Sequence, residues 1–297
     1  MSNTLREFSD DLSAAVEKAG ASTILVDARK RYPASGIAFA EDLVLTADHV
    51  VTKEDIKVGM PDGKTLSATV AGRDPGSDLA LLKLAEKALS AAKTSDDVKV
   101  GQLVLALGRP NNAGMQVSWG IVTAISGPTR TFRGGMLDEY LQTETTPYPG
   151  FSGGPLVNTE GEVLGLNTSG LTRGSSLTIP VKVAWRIAEA LAKHGSIKRG
   201  YLGVRTQPVE IPEAARNALQ REQGQGLLVL WLEDGGPAQA GGLLVGDILV
   251  AVSGQPVGDP DDLFAALNSE TVGKAIAVEV LRGGRPETVQ VTVAERK

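Results

Sequence analysis

The sequence predicts an all-β first domain of barrel or sandwich type, followed by a small α+β domain. Three observations carry this. Residues 20–180 are a succession of short apolar runs rich in Val, Ile and Leu, with turn residues between them and no strong amphipathic helix. Thirty-five glycines and 15 prolines supply turns on the scale an all-β chain needs. Beyond residue 200 the texture changes, and strand-like runs alternate with two helical patterns. A length of 297 residues suits two domains of about 100–200 residues each. Apolar residues make up 42% of the chain but aromatics only 4%, so the cores must be aliphatic.

The chain opens on a helix that carries Leu5, Phe8, Leu12, Ala15 and Val16 on one face. Strands are expected at 22–27, 36–40, 43–46, 79–84, 103–107, 120–125, 163–167 and 177–179, with one weak helical pattern at 85–92. A second helix is predicted over 181–194, with Val183, Ile187, Ala190 and Leu191 at helical spacing. The turn and basic residues that follow His194 place the linker there, which divides the chain into domains 1–197 and 198–297. In the second domain, strands are expected at 201–205, 226–232, 248–252, 276–281 and 288–293, and helices at 213–223 and 259–267. Arg282-Gly-Gly-Arg285 is a hairpin turn.

Composition removes several classes of function. A net charge of −5 without a long basic block argues against nucleic-acid binding, which needs cations against phosphates. With no cysteine, thiolate metal sites and Cys nucleophiles are excluded; with only His49 and His194, a multi-histidine metal site is unsupported. No metal and no cofactor are expected. No stretch approaches the ~18 consecutive apolar residues of a membrane span. The first residues lack the apolar run of a signal peptide. A cytoplasmic protein is therefore expected from the chain as written, or a periplasmic or extracytoplasmic one if a leader has been removed. Asp62-Gly-Lys-Thr65 is similar to the end of a phosphate-binding loop, but Val58 stands where that motif needs glycine, so it reads as a hairpin turn.

Chemistry concentrates in Pro149-Gly-Phe-Ser-Gly-Gly-Pro-Leu156, where a serine sits among three glycines. Glycines allow positive φ and close approach, and such a turn can aim N–H groups at one point. A serine nucleophile needs a general base. His49, at the end of an apolar strand, is the candidate, because His194 lies in the linker beside Lys193. The base must in turn be oriented by a carboxylate. Asp48 is the immediate neighbour and points to the opposite face in a strand. Asp74 lies in Arg-Asp-Pro-Gly, a turn where its side chain bonds its own backbone. Asp78 opens an apolar run, where a carboxylate is costly to bury unless paired. The candidate triad is His49, Asp78 and Ser152.

The order His, Asp, Ser on an all-β chain resembles chymotrypsin-like proteases, and most closely the HtrA/Deg family. The resemblance rests on Val44-Leu-Thr-Ala-Asp-His-Val-Val51, Asp78-Leu-Ala-Leu-Leu82, Val104-Leu-Ala-Leu-Gly108, Gly150-Phe-Ser-Gly-Gly-Pro-Leu156 and Ile179-Pro180. It implies two six-stranded barrels with the triad between them, an oxyanion hole from Gly150, Phe151 and Ser152, and no cofactor. It places Thr146 at the base of the S1 pocket, Asn167, Thr168 and Ser169 on its wall, and small or medium apolar residues at P1. The chain departs from the family at Phe151, where Asn is usual, and at Glu144-Thr-Thr-Pro-Tyr-Pro149.

In the second domain, Gly235-Gly-Pro-Ala-Gln-Ala-Gly-Gly-Leu-Leu-Val-Gly-Asp-Ile-Leu-Val250 resembles the PDZ signature, with Asp247 read as a structural cap. The family resemblance assigns a peptide-binding groove to Arg199, Gly200, Tyr201, Leu202, Gly203 and Val204 with Leu263 and Leu267. The implied function is ATP-independent cleavage of unfolded or damaged proteins by a homotrimer that binds peptide C-termini at the PDZ domain. A non-proteolytic chaperone or scaffold, and a regulatory protease with one dedicated substrate, are the alternatives.

Overall fold

The apolar runs of the first 180 residues close into two six-stranded antiparallel barrels. They are seen in a computed structural model that describes residues 3–295 apart from 112, 132–134, 172–175, 198, 220 and 269. Two units divide the chain, Met1–Ile197 and Lys198–Lys297. In the first, helix α1 (Thr4–Gly20) precedes a barrel of β1 (Thr23–Asp27), β2 (Ala34–Ala40), β3 (Leu43–Ala47), β4 (Ile56–Gly59), β5 (Thr65–Asp74) and β6 (Leu79–Leu84), in the order β1-β2-β3-β6-β5-β4. The second barrel draws on β7 (Leu103–Gly108), β8 (Gln116–Ser126), β11 (Tyr140–Thr143), β12 (Pro155–Val157), β13 (Val163–Thr168) and β14 (Leu177–Pro180). Its order is β11-β14-β13-β12-β7-β8, and a small hairpin of β9 (Thr129–Arg130) and β10 (Met136–Leu137) lies outside it.

The pattern of burial explains why the strands read as continuous apolar runs rather than as alternation. Along β6, Ala80 and Leu82 face the interior of the first barrel with Ile24, Val26 and Val44. Their neighbours Leu79 and Leu81 join Leu45, Leu105, Leu107 and Leu166 in a second core that continues into the helix after β14. Both faces of the strand are dry, so period two is erased from its sequence. Four barrel strands with a wet face or few residues lie outside the expected set. β5 exposes much of its length, β12 is only three residues long, and β4 and β11 are only four each. The weak helical pattern at 85–92 is not a helix. Its backbone runs along the β2–β3 hairpin, with the Ala88 and Leu89 N–H groups both donating to Glu41 O at 2.9 Å. The Asp62–Lys64 region is a hairpin turn, closed by Met60 N–H to Lys64 O at 2.8 Å.

Helix α2 (Val181–His194) buries Val183, Ala184, Ala188 and Leu191 and ends at Gly195, whose φ of 73° lets its N–H close on Leu191 O at 2.8 Å. Helix α1 is buried only at its C-terminal end, through Ala15 and Ala19, with Leu12 and Val16 packed beside them. Leu5 and Phe8, on the same stripe, are exposed.

The second unit holds a sheet of β16 (Val204–Glu210), β17 (Gln225–Leu232), β18 (Ile248–Val252), β20 (Ala275–Arg282) and β21 (Arg285–Thr292), in that order. β19 (Gln255–Pro256) pairs β18, and β15 (Gly200–Tyr201) pairs β22 (Ala294–Glu295). The helices are α3 (Glu213–Leu219), α4 (Pro237–Ala240) and α5 (Pro260–Ala266). Asp259 caps α5 by accepting from the N–H groups of Asp261 and Asp262, with Pro260 at the first helical position. α3 ends before the expected residue 223, and Gln223 instead donates to Val257 O at 2.9 Å. Asp247 caps Leu244 N–H at 2.8 Å and pairs with Arg282 at 2.7 Å, the structural role its position suggests.

Candidate active site

His49 sits in a single 3-10 turn, Asp48–Val50, that follows β3, so the reason given for setting Asp48 aside is replaced by another. Asp48 is almost fully buried, and its carboxylate accepts Arg73 Nε at 2.6 Å. Arg73 also donates to the carbonyls of Asp48 at 3.2 Å and Val51 at 3.0 Å, which clamps the turn on which His49 stands. Asp74 is engaged locally, accepting Gly76 N–H at 3.3 Å and Ser77 N–H at 3.2 Å.

Asp78 is wholly buried at the head of β6. Its φ of 57° is a strained conformation for a residue with a Cβ, of a kind found where surrounding contacts hold a functional group in place. Those contacts are on both sides. Asp78 O accepts Asp48 N–H at 3.0 Å. Oδ1 accepts His49 N–H at 2.9 Å, and Oδ2 lies 2.8 Å from His49 Nδ1. The Thr168 hydroxyl donates to the same Oδ2, reaching across from the second barrel. Thr168 was expected on the S1 wall, and it does border the cavity, but its hydroxyl serves the aspartate. Gly170 closes the pair from behind. A Cβ there would stand 2.6 Å from His49 Nδ1 and closer still to Asp78 Oδ2, so only glycine fits.

Ser152 comes from the loop before β12. Gly150 and Gly153 on either side have φ of 91° and 86°. A Cβ on Gly153 would collide with Ser35 O, and one on Gly150 with Pro110. Ser35 holds this loop to the first barrel: its hydroxyl donates to Gly150 O at 2.7 Å, its N–H donates to Ser152 O at 3.2 Å, and its oxygen accepts Arg109 N–H at 2.8 Å. The Phe151 ring is buried in the second barrel and meets Tyr148 edge-on at 5.4 Å. Phe151 N–H donates to Tyr148 O at 3.1 Å, so this residue anchors the loop rather than offering a donor. Among the described residues, neither Gly150 N–H nor Ser152 N–H has a protein acceptor, which leaves two donors flanking the anchor. The Ser152 hydroxyl is 3.1 Å from that of Ser169.

A cavity of about 850 Å³ opens at Ser152. Asn167, Ser169, Thr143, Thr145, Leu177 and Thr178, all of the second barrel or its connections, line it. Thr146 does not line it, which corrects the expected pocket base. Beyond the end of β11 the chain keeps the alternation of a strand, and Thr143 and Thr145, hydroxyls 2.7 Å apart, face one way. Thr146 faces the other, exposed, with its N–H on Ser118 Oγ at 2.7 Å. Asn167 is buried, with Oδ1 accepting the Thr178 hydroxyl at 2.7 Å. Arg73, Ser35 and Gly170 carried no signal in the sequence, because each acts through a contact that exists only once the barrels are closed.

In the second unit, Leu202, Leu263 and Leu267 are buried in the domain's core, and Val204 packs at its edge. Gly200 N–H donates to Leu267 O at 2.9 Å, and Gly203 takes a φ of 74°. Arg199 and Tyr201 stand in the same segment, half exposed.

Residues 34–166 match the family of trypsin-like peptidase domains, and residues 200–293 match the PDZ domain family. Among curated proteins, a probable periplasmic serine endoprotease DegP-like of Halomonas elongata is 37% identical over 90% of this chain and 57% of its own length. One of the same description from Pseudomonas fluorescens is 37% identical over 86% of this chain and 55% of its own. The chain thus spans little more than half the length of the curated relatives it matches. Their names overturn the expectation of a cytoplasmic protein and point to the periplasm. Among solved structures, the serine endoprotease from Yersinia pestis superposes with a TM-score of 0.79 at 30% identity, covering 96% of this chain and 98% of its own. An HtrA-type protease, AlgW with decapeptide, does so with a TM-score of 0.79 at 26% identity, covering 96% and 99%. The buried aspartate behind a histidine, the serine in its glycine turn and the trailing PDZ domain therefore have one explanation: the chain belongs to the HtrA/DegP-like family of trypsin-like serine proteases.

Proposed function

We propose that this chain is a periplasmic, ATP-independent serine endopeptidase that cuts unfolded or damaged proteins, with its PDZ domain capturing peptide ends. The observation that carries the reading is the fully buried Asp78 bonded to His49 Nδ1 at 2.8 Å, with Ser152 at the mouth of an open cavity. A carboxylate without water needs a partner, and an imidazolium formed during turnover is one. The Ser152 hydroxyl exchanges Ser169 for His49 Nε2, gives up its proton there and attacks the substrate carbonyl. The N–H groups of Gly150 and Ser152 receive the oxyanion. His49 then protonates the leaving amine, and water releases the acyl group by the same route in reverse. A chaperone or scaffold has no use for this constellation.

Among the described residues no Asp or Glu lines the cavity, so the S1 side does not favour Lys or Arg at P1. We assign it small or medium uncharged residues. For the PDZ domain, the segment Arg199–Val204 with Leu263 and Leu267 is the groove we assign to a peptide that adds as a strand. Casein digestion with mapped cleavage sites tests the activity. Removal of residues 200–297 is expected to lower casein turnover about tenfold while lowering turnover of a short peptide far less, because tethering raises local concentration without changing the chemistry. Equal losses on both substrates would reject the capture role.

The exposed Leu5 and Phe8, on a helix buried only at its C-terminal end, support assembly into a homotrimer, since an apolar stripe is stable only when covered. Light scattering is expected to return three times the mass of one chain, and a lower mass after deletion of residues 1–16; a monomer at full length rejects the trimer.

A further inference from the structure

We propose that the β1–β2 loop, through Arg29, Lys30 and Arg31, recognises a carboxylate side chain of the substrate on the leaving-group side of the cleaved bond. This rests on the reading of Ser152 as the nucleophile. Arg29, Lys30, Arg31 and Tyr32, from the β1–β2 connection of the first barrel, line the cavity that Ser152 borders, which Asn167 and Ser169 at the end of β13 also line. The position of the loop is set by its junction with β2. Pro33 O lies 3.0 Å from where a Gly150 Cβ would be, and Ser35 bonds both Gly150 and Ser152. A substrate chain that crosses Ser152 with its P1 side chain towards β13 and β14 therefore runs its following residues over this loop.

The charge of the wall is one-sided. Among the described residues three consecutive cations line the cavity and no carboxylate does, in a chain whose net charge is −5. Among the described residues none of the three pairs with an acid: the adjacent Asp27 is held by Lys53 at 2.7 Å. Arg29 is not free to swing away. Its Nε donates to Tyr32 O, and a terminal nitrogen reaches Pro33 O at 3.4 Å. Half-burial lowers its pKa, the mark of a cation partly stripped of water without a counter-ion. Two backbone carbonyls occupy only part of a five-donor fork, so N–H groups remain to grip a carboxylate. The ordinary reading of a charged loop is a solvated surface, and Lys30 and Arg31 are exposed. Their placement on the wall of the cavity, unpaired, is what that reading leaves unexplained.

The test uses the full chain and two C-terminally amidated peptides, so that the PDZ domain is offered no carboxylate end. They share one cleavable bond and differ only in Glu or Gln near the second residue after it. At about 20 mM salt kcat/KM is expected to be about fivefold higher for the Glu peptide, and the ratio to fall towards one at about 500 mM salt, as exposed charges are screened. Replacing Arg29, Lys30 and Arg31 together by Gln is expected to bring the ratio to about one at both salts. Binding of the same labelled peptides to the Ser152→Ala protein reads the subsite without chemistry and is expected to show the same preference. Cleavage with a ratio of one or below at low salt, or binding indifferent to Glu and Gln, overturns the inference and leaves the proteolytic reading standing. Preferential binding of the Glu peptide by a wild type that cleaves neither peptide keeps the subsite and overturns the proteolytic reading instead.

Discussion

Ser152→Ala is expected to remove peptide-bond cleavage by a factor on the order of 10⁶, the loss that follows when a triad protease is deprived of its nucleophile. There is no cysteine, and Ser169, the hydroxyl 3.1 Å away, is not set in the glycine turn that carries the free N–H groups of Gly150 and Ser152. Stability should change by less than about 0.5 kcal/mol, because the substitution deletes one accessible hydroxyl and leaves the backbone bonds of the loop to Ser35 in place. A fluorophosphonate probe should label wild type at Ser152 alone and leave the variant unlabelled. Labelling at another serine, or cleavage by the variant at a tenth of the wild-type rate, would remove Ser152 from its role.

Asp78→Asn should lower kcat by about 10⁴ while the fold and substrate affinity are retained, a loss that arises from the wrong tautomer rather than from collapse. In the native site Oδ1 and Oδ2 are both acceptors, taking His49 N–H at 2.9 Å, His49 Nδ1–H and the Thr168 hydroxyl. An asparagine keeps one acceptor and turns an NH₂ towards the others. If the carbonyl stays on His49 N–H, the amide faces Nδ1, which must then accept, and the proton moves to Nε2. A histidine protonated at Nε2 cannot take the Ser152 proton. Steady-state kinetics should show kcat falling with KM nearly unchanged, and circular dichroism should overlay wild type. A variant that keeps more than a tenth of kcat would mean that Asp78 only packs the turn.

The chemistry was legible in the sequence wherever it depended on scarce residue types. Only two histidines are present, and one serine is framed by three glycines, so the candidate base and candidate nucleophile could be chosen by elimination. Asp78 was legible for a related reason: a carboxylate opening an apolar run must be paired. The strands with two buried faces were legible because burial on both sides writes a continuous aliphatic run, as in β6 and β13. The wet or very short strands β4, β5, β11 and β12 leave no such trace, and tertiary pairing alone makes them. Thr146 shows the limit of counting along the chain, since an offset from the nucleophile does not say to which side a residue points where the chain leaves a barrel strand.

By itself, then, the sequence determined which residues are the candidates for the chemistry, the two-domain order and the aliphatic character of the cores, because these follow from residue type and local periodicity. The tertiary structure alone decided which groups support them. Arg73 reaches Asp48 from β5, Thr168 reaches Asp78 from the other barrel, and Ser35 grips the loop of Ser152 across 115 residues of chain. The same closure of barrel on barrel brings Arg29, Lys30 and Arg31 of the first barrel to a cavity that Asn167 and Ser169 of the second also line. Each of these contacts joins segments that are distant in sequence, and no local pattern encodes a distance that exists only after the strands have found their register.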